Sequence, residues 1–90
     1  MLIALIARDK PGALSVRQEN RPRHVEYLKS GPAVHQAGPL LDDCGQMCGS
    51  LIVLDVADMA EAQAWAANDP YAQAGLFEKV ELIPWNRVIG

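Results

Sequence analysis

The sequence predicts an α+β fold in which helices cover one face of a four-stranded antiparallel sheet. Two short, continuous apolar runs, Leu2–Ala7 and Ser50–Val56, have the composition of strands in the middle of a sheet. The predicted elements follow the order strand, helix, strand, strand, helix, strand, which is the split βαβ arrangement of ferredoxin-like folds. Right-handed crossovers would bring the first and third strands together in the centre, where these two apolar runs belong.

The first strand, Leu2–Ala7, is followed by a turn at Asp9-Lys10-Pro11-Gly12, because Pro and Gly together interrupt regular structure. A helix is predicted from Ala13 to Ser30, with Gly31-Pro32 as its stop. Pro22 falls inside this segment, lacks a backbone donor and turns the residue before it away from helical geometry. Two arrangements stay open: one kinked helix, or a short helix followed by a second helix that begins at Pro22.

One face of this helical segment carries both apolar and cationic side chains, provided that the helical phase continues through Pro22. Its members are Leu14, Arg17, Arg21, His24, Val25 and Leu28. The leucines and the valine indicate that the face points at the sheet, where buried cations need partners. Either the cations lie at the rim and extend to water, or the face lines a cleft for an anion.

The second strand, Val34–Leu41, contains Gly38-Pro39, which predicts a bulge or an edge strand. Residues Asp42–Met47 are polar and contain a glycine, so they are predicted to form the hairpin connection. The third strand, Ser50–Val56, is rich in β-branched and aliphatic residues and does not alternate, which predicts burial on both of its faces.

A second helix is predicted over residues 58–67. Asp58 is a good N-cap, and Glu61 three residues later completes a pattern like the capping box. Asn68 is expected to end the helix in left-handed geometry. Asp69-Pro70 then starts a new turn, with the aspartate as cap and the proline at the first position.

The last predicted strand is Leu76–Trp85, and Pro84 marks it as an edge strand or marks its end. The sequence contains no internal repeat, low-complexity segment or composition shift that would indicate a domain boundary. Residues 1–90 are therefore expected to form a single domain.

Size and composition indicate that the domain gains stability from a partner. A chain of 90 residues buries a thin core, yet half of its residues are hydrophobic. Small domains often gain stability by oligomerising, so a second copy is expected to cover part of this apolar surface. An ordinary monomer rich in apolar residues is the alternative.

Charge and apolar patterning exclude several classes of partner. The net charge is −3, and the local cluster Arg17, Arg21 and Arg23 forms no extended basic stripe, which argues against nucleic acid and acidic membranes. The apolar stretch Met1–Ala7 lacks a basic leader and is too short to span a bilayer. A cytoplasmic location is expected.

Neither the cysteines nor the histidines form a recognisable metal site. Cys44 and Cys48 have a C-x3-C spacing without the second pair that zinc requires. In a reducing compartment they are expected to be free thiols, with a redox pair as the alternative. The sequence has no glycine-rich phosphate loop, so no metal and no cofactor are expected.

Several short motifs together resemble a known family. In chain order they are Asp9-Lys10-Pro11-Gly12, Arg17, Arg21, His24, Tyr27-Leu28, Ala37-Gly38-Pro39-Leu40, Gly49-Ser50 and Asn68-Asp69-Pro70-Tyr71. Over essentially its whole length the chain resembles the YCII-related (YciI-like) proteins of the dimeric α/β-barrel superfamily, whose fold is ferredoxin-like. The turn from Cys44 to Cys48 lies outside this pattern.

The resemblance implies a homodimer in which two sheets pack face to face, and an active site built on a histidine and an aspartate. These map to His24 and Asp69. The pairing is chemically sensible, because histidine titrates near neutral pH and an adjacent carboxylate would fix its tautomer and raise its basicity. Asp69 has a second interpretation as the cap of the turn that begins at Pro70.

Candidate substrate-binding residues surround this pair in the predicted fold. Arg17 and Arg21 would suit a carboxylate or phosphate, since guanidinium groups bind such anions with paired hydrogen bonds. Arg8 at the end of the first strand is expected to join them. Ser50 would contribute a hydroxyl group, and Tyr71 would close the cleft with a ring that carries a hydroxyl at its tip.

Two functions follow from these residues. The first is a small cofactor-free isomerase, lyase or hydrolase that uses His24 and Asp69 as an acid–base pair on a small anionic molecule. The alternative is a homodimeric module that binds a small metabolite, or serves as an accessory subunit, without catalysis.

Overall fold

The computed structural model describes all 90 residues and confirms the predicted element order. One short additional helix occupies the position where a turn was predicted after Asp69. The elements are β1 (Leu2–Asp9), α1 (Leu14–Lys29), β2 (Val34–Leu41), β3 (Met47–Asp55), α2 (Met59–Ala67), α3 (Pro70–Gln73) and β4 (Phe77–Pro84).

The four strands form one sheet in the order β2-β3-β1-β4, and every neighbouring pair is antiparallel. The first and third strands are therefore side by side in the centre, as predicted. This is a ferredoxin-like α+β fold, and β2 and β4 are its edge strands.

Alternation along the central strands separates a helix-covered face from an open face. Ile3, Leu5 and Ala7 of β1 are buried beneath the helices, and Leu5 pairs with Ile52 while Ile3 pairs with Leu54. These side chains form one apolar cluster with residues of α2, and removing this surface from water stabilises the packing of the helices on the sheet.

The other face of the sheet carries no helix. Leu51 lies there and is 42% exposed, whereas Ile52, Val53 and Leu54 are buried. The prediction that Ser50–Val56 is buried on both faces therefore holds only for the middle of the strand, because nothing covers Leu51 in a single chain.

Helix α1 runs without interruption through Pro22, so the single-helix arrangement is correct. Pro22 is exposed to solvent. Its missing N–H removes one helical hydrogen bond, and the packing of α1 on the sheet outweighs that loss. The continuous phase keeps Arg17, Arg21 and His24 on one face.

Two predicted strand bounds differ from the structure by more than one residue, whereas the end of β3 and both bounds of β4 differ by one. Strand β1 continues to Asp9, two residues beyond the prediction, because Asp9 still pairs with Phe77 of β4. Strand β3 begins at Met47 because the hairpin turn is tight: the Asp42 carboxylate accepts hydrogen bonds from the backbone N–H groups of Cys44 and Gln46.

Helix α2 begins as predicted but ends differently. The Asp58 side chain accepts a hydrogen bond from the Glu61 N–H, and the Glu61 carboxylate accepts one from the Ala57 N–H. The left-handed geometry predicted for Asn68 is wrong, because its φ is −91°. The Asn68 side chain donates to the Ala64 carbonyl, so right-handed geometry satisfies the helix end.

The edge strand β2 contains the predicted irregularity. The register shifts between Val34 and Gln36 and again between Leu40 and Leu41. Edge strands tolerate such shifts because one of their sides has no hydrogen-bonded neighbour to lose. Residues 37–39, between the two shifts, line a cavity that helix α1 also lines.

Gly49 is a position where the central strands require the absence of a side chain. A Cβ built there would lie 2.4 Å from the Ala7 carbonyl oxygen, which is backbone and cannot rotate away. We expect Gly49→Ala to lower the free energy of unfolding by roughly 1–3 kcal/mol, measured by urea denaturation. Gly38→Ala is the matched control, because a Cβ at Gly38 meets nothing within 4 Å. Equal stability of the two variants would contradict this account.

Candidate active site

His24 and Asp69 form a buried hydrogen-bonded pair. Nδ1 of His24 lies 2.7 Å from Oδ1 of Asp69, and the two residues are 5% and 1% exposed. Helix α1 carries the histidine on its sheet-facing side, and the aspartate lies at the junction of α2 and α3. Two residues that are 45 positions apart in the sequence are thus brought into direct contact.

Asp69 both contacts His24 and caps helix α3. Its Oδ1 accepts the hydrogen bond from His24 and a second one, 3.0 Å long, from the backbone N–H of Tyr71. Pro70 occupies the first position of α3, as the capping interpretation requires. The other carboxylate oxygen, Oδ2, is buried without a hydrogen-bond partner.

The tautomer of His24 follows from this contact. A carboxylate accepts hydrogen bonds, so Nδ1 donates its proton to Asp69 and Nε2 carries the lone pair of the neutral ring. Nε2 has no hydrogen-bond partner within the protein. His24 also lines a cavity together with Arg21 and Ser50. The ring therefore offers a basic nitrogen that no protein group occupies.

The Tyr71 ring holds the imidazole plane in place. It stacks on His24 with the ring centroids 3.8 Å apart and the planes 14° from parallel. The Arg17 guanidinium covers the Tyr71 ring, with Cζ 4.5 Å from the centroid, and Phe77 meets Tyr71 edge-on at 6.0 Å. Stacking and cation–π attraction together restrict rotation of both rings.

Arg17 is engaged in a buried ion pair that the sequence did not reveal. Its Nε lies 2.7 Å from Oδ2 of Asp9, and its Nη2 lies 2.9 Å from Oδ1 of Asp9 and 2.9 Å from Oγ of Ser50. Burial acts to lower the pKa of Arg17, but the hydrogen bond and charge of Asp9 outweigh it and raise that pKa above its usual value. Arg17 is charged, and Asp9 balances its charge.

Five of the seven candidate residues, all except Asp69 and Arg8, line a cavity of about 220 Å³ between α1, β2 and β3. One part of its wall is polar, and the other is apolar. The polar side chains are Arg17, Arg21, His24, Ser50 and Tyr71, and the apolar part is formed by Val25, Leu28, residues 37–39, Met47 and Ile52. A ligand that fits must be small and must have both a polar edge and an apolar surface.

The structure separates the three arginines predicted to bind the substrate. Arg17 is paired with Asp9, whereas Arg21 lines the cavity, is exposed and has no ion-pair partner. Arg8 does not join them. It pairs with Gly49 and Lys79 and is exposed on the open face, because alternation in β1 directs Ala7 and Asp9 to the helices and Arg8 away from them.

Two tyrosines near the pair retain their protons at neutral pH. Burial raises the pKa of Tyr71, and the positive charges of Arg17 and Arg21 offset only part of that rise. Burial, followed by the charge of Asp69, also raises the pKa of Tyr27, whose hydroxyl donates to the Trp65 carbonyl at 2.8 Å. Tyr71 is therefore a neutral phenol in the cavity wall.

The remaining groups considered from the sequence lie outside this cavity. Cys44 and Cys48 are free thiols, and neither lines it. No group of three or more His, Cys, Asp or Glu side chains is close enough together to hold a metal ion. None of the helices has the length and hydropathy needed to cross a bilayer.

Comparison with known sequences identifies relatives over nearly the full length of the chain. The sequence model of the YCII-related domain matches residues 1–86. Protein YciI of Escherichia coli O6:H1 is 33% identical over 100 residues, which cover 98% of this chain and 99% of that protein.

Solved structures show the same fold. The chain is 30% identical to 5-chloro-2-hydroxyhydroquinone dehydrochlorinase (TftG) from Burkholderia phenoliruptrix AC1100, determined in complex with 2,5-dihydroxybenzoquinone. The TM-score is 0.87, with 96% of this chain and 94% of that chain covered. An antibiotic biosynthesis monooxygenase is 14% identical with a TM-score of 0.57, covering 97% and 100%, and shares the fold alone.

Proposed function

The chain belongs to the YCII-related family, and we propose that it is a small cofactor-free enzyme that uses acid–base chemistry on a compact anionic organic molecule. One observation carries the proposal. The buried His24–Asp69 pair leaves the basic Nε2 of the imidazole free at the wall of a small, partly polar cavity.

In the proposed reaction, Nε2 of His24 takes a proton from the substrate. Asp69 stabilises the imidazolium that results, because its carboxylate is desolvated and lies 2.7 Å from Nδ1. The protonated histidine then returns the proton to a different substrate atom or to a leaving group. Proton removal followed by proton return or loss of a leaving group describes an isomerase or a lyase.

Similarity to the Burkholderia dehydrochlorinase favours a lyase and a hydroxylated ring as substrate. That enzyme was determined with 2,5-dihydroxybenzoquinone, a single oxygenated ring. A cavity of about 220 Å³ with one polar and one apolar part suits a molecule of that size and character. Arg21 supplies the unpaired positive charge for an ionised oxygen.

A second candidate function is ligand binding without conversion. The observation that favours it is the capping role of Asp69, which gives the aspartate a structural reason to be present. A binding module would be stabilised by hydroxylated ring compounds, would lose that stabilisation in Arg21 variants, and would release no product.

We also propose that the protein is a homodimer that packs the open faces of two sheets together. The middle of the open face is apolar: Leu2, Ala4, Ile6, Leu51, Val53 and Ile83 lie on it by alternation and pairing, and charged residues such as Arg8 and Lys79 lie towards its edge. Leu51 and Ile83 are exposed there in a single chain, at 42% and 43%. A contiguous apolar sheet face of this kind is covered in stable proteins, and a second copy would cover it symmetrically.

The catalytic proposal predicts the effect of removing the imidazole. We expect His24→Ala to lower kcat by about 10²- to 10⁴-fold on the substrate that wild type turns over best among 5-chloro-2-hydroxyhydroquinone and related hydroxylated rings. His35→Ala is the matched control, because His35 is exposed on β2 and does not line the cavity. Unchanged melting temperatures would show that the loss is chemical. Full activity of His24→Ala, or no turnover of the whole series by wild type, would contradict catalysis.

The dimer proposal predicts that a charge on the open sheet face separates the subunits. We expect Leu51→Arg to behave as a monomer in light scattering, because a dimer would bury the new charge without a partner. Ala60→Arg adds the same charge to the exposed side of α2 and should leave the dimer intact. A monomeric wild type, or a dimeric Leu51→Arg protein, would refute the proposed interface.

A further inference from the structure

We propose that the Ser50 hydroxyl donates a hydrogen bond to an ionised oxygen of the ligand, and that Asp9 and Arg17 are positioning residues that direct and polarise this hydroxyl. The inference rests on the proposed function, because it assumes that the cavity beside His24 holds the ligand. It assigns a role to Asp9, which lies outside the cavity wall, and a different role to Arg17.

Ser50 is a polar residue in an otherwise apolar row. It lies on β3 opposite Ala7, is 2% exposed, and is followed on the same face by Ile52 and Leu54. A hydroxyl costs free energy in such surroundings unless its hydrogen-bonding capacity is used. Ser50 also lines the cavity, so a ligand can reach it.

The Ser50 side chain makes one hydrogen bond, and the donor character of arginine fixes its direction. Nη2 of Arg17 lies 2.9 Å from Oγ of Ser50, and a guanidinium can only donate, so the serine oxygen accepts. Ser50 makes no other side-chain hydrogen bond in the structure. Its own hydrogen therefore has no acceptor in the protein, and the cavity is the side from which an acceptor can arrive.

Three of the five N–H donors of Arg17 are used within the protein, and the two on Nη1 remain. Nε and Nη2 are both committed to Asp9, and that carboxylate balances the positive charge. A buried ion pair is a weak source of stability by comparison with apolar packing, so its presence calls for another reason. Here the pair aims a cationic donor at the Ser50 oxygen, and such a donor makes the serine hydroxyl a stronger donor in turn.

The groups around the cavity define the ligand that this arrangement recognises. Ser50, Arg21 and the neutral phenol of Tyr71 are donors, whereas Nε2 of His24 is an acceptor. A matching ligand carries an ionised oxygen for the donors and, beside it, a proton that His24 can take. An ionised hydroxyquinone or a related enolate on a compact ring has this pattern.

The test uses 2,5-dihydroxybenzoquinone as the probe, with binding measured by titration calorimetry on the full chain. We expect Ser50→Ala to weaken binding about tenfold or more, the usual effect of losing a hydrogen bond to a charged group. Ser15→Ala is the matched control, since Ser15 is exposed on α1 and should leave the affinity unchanged. Ser50→Cys keeps a similar shape with a weaker donor and should fall between the two, which preserves the test if Ser50→Ala does not fold.

The positioning role of Asp9 is tested by a double-mutant cycle. Asp9→Asn should weaken probe binding in the wild-type background but add no further loss in the Ser50→Ala background, because its effect passes through that hydroxyl. A purely structural role would lower the affinity by the same factor in both backgrounds and would overturn the assignment of Asp9.

Failure of this inference is distinguishable from failure of the proposed function. Probe binding by wild type that Ser50→Ala and Ser50→Cys both leave unchanged would overturn the role of Ser50 and leave the acid–base proposal standing. No binding of the probe to wild type would overturn both.

Discussion

The structure depends on a series of buried polar contacts that joins one carboxylate to another beneath helix α1. Asp9 holds Arg17, Arg17 covers the ring of Tyr71, Tyr71 stacks on His24, and His24 is bonded to Asp69. Desolvated charges persist only when they are paired, so Asp9 and Arg17 require each other, while ring stacking and a hydrogen bond link them to His24 and Asp69. Because these residues come from β1, α1 and α3 and from the junction before α3, the series fixes α1 relative to the sheet and thereby fixes the shape of the cavity.

Much of this fold was predictable because local composition and topology agree. The apolar runs of β1 and β3 identify the central strands, and helical spacing places Arg17, Arg21 and His24 on one face. Asp9 was missed because Asp9-Lys10-Pro11-Gly12 has the composition of a turn, although β1 continues through Asp9. Extending the alternation of β1 by two residues would have directed Asp9 to the helices and Arg8 to the open face. The uninterrupted course of α1 through Pro22 follows from tertiary packing, which local propensity does not contain.

The cavity combines features that are separately common and together support the proposed acid–base reaction. A histidine held by a buried carboxylate leaves one nitrogen for a substrate, and a neutral phenol, an unpaired arginine and a serine surround it. The apolar wall from α1, β2 and β3 would exclude water and strengthen the electrostatic interactions between these groups. The capping role of Asp69 is compatible with this chemistry, because the backbone N–H that it accepts helps to fix the carboxylate in front of His24.

The central claim is that His24 donates through Nδ1 to Asp69 and keeps Nε2 as a base. Nitrogen NMR on a His35→Gln variant tests it directly, because the chain has two histidines and the variant leaves only His24. The account predicts that neutral His24 carries its hydrogen on Nδ1, with Nε2 unprotonated, and that Asp69→Asn removes this preference. A neutral His24 with its hydrogen on Nε2 would contradict the account, since no basic nitrogen would then face the cavity.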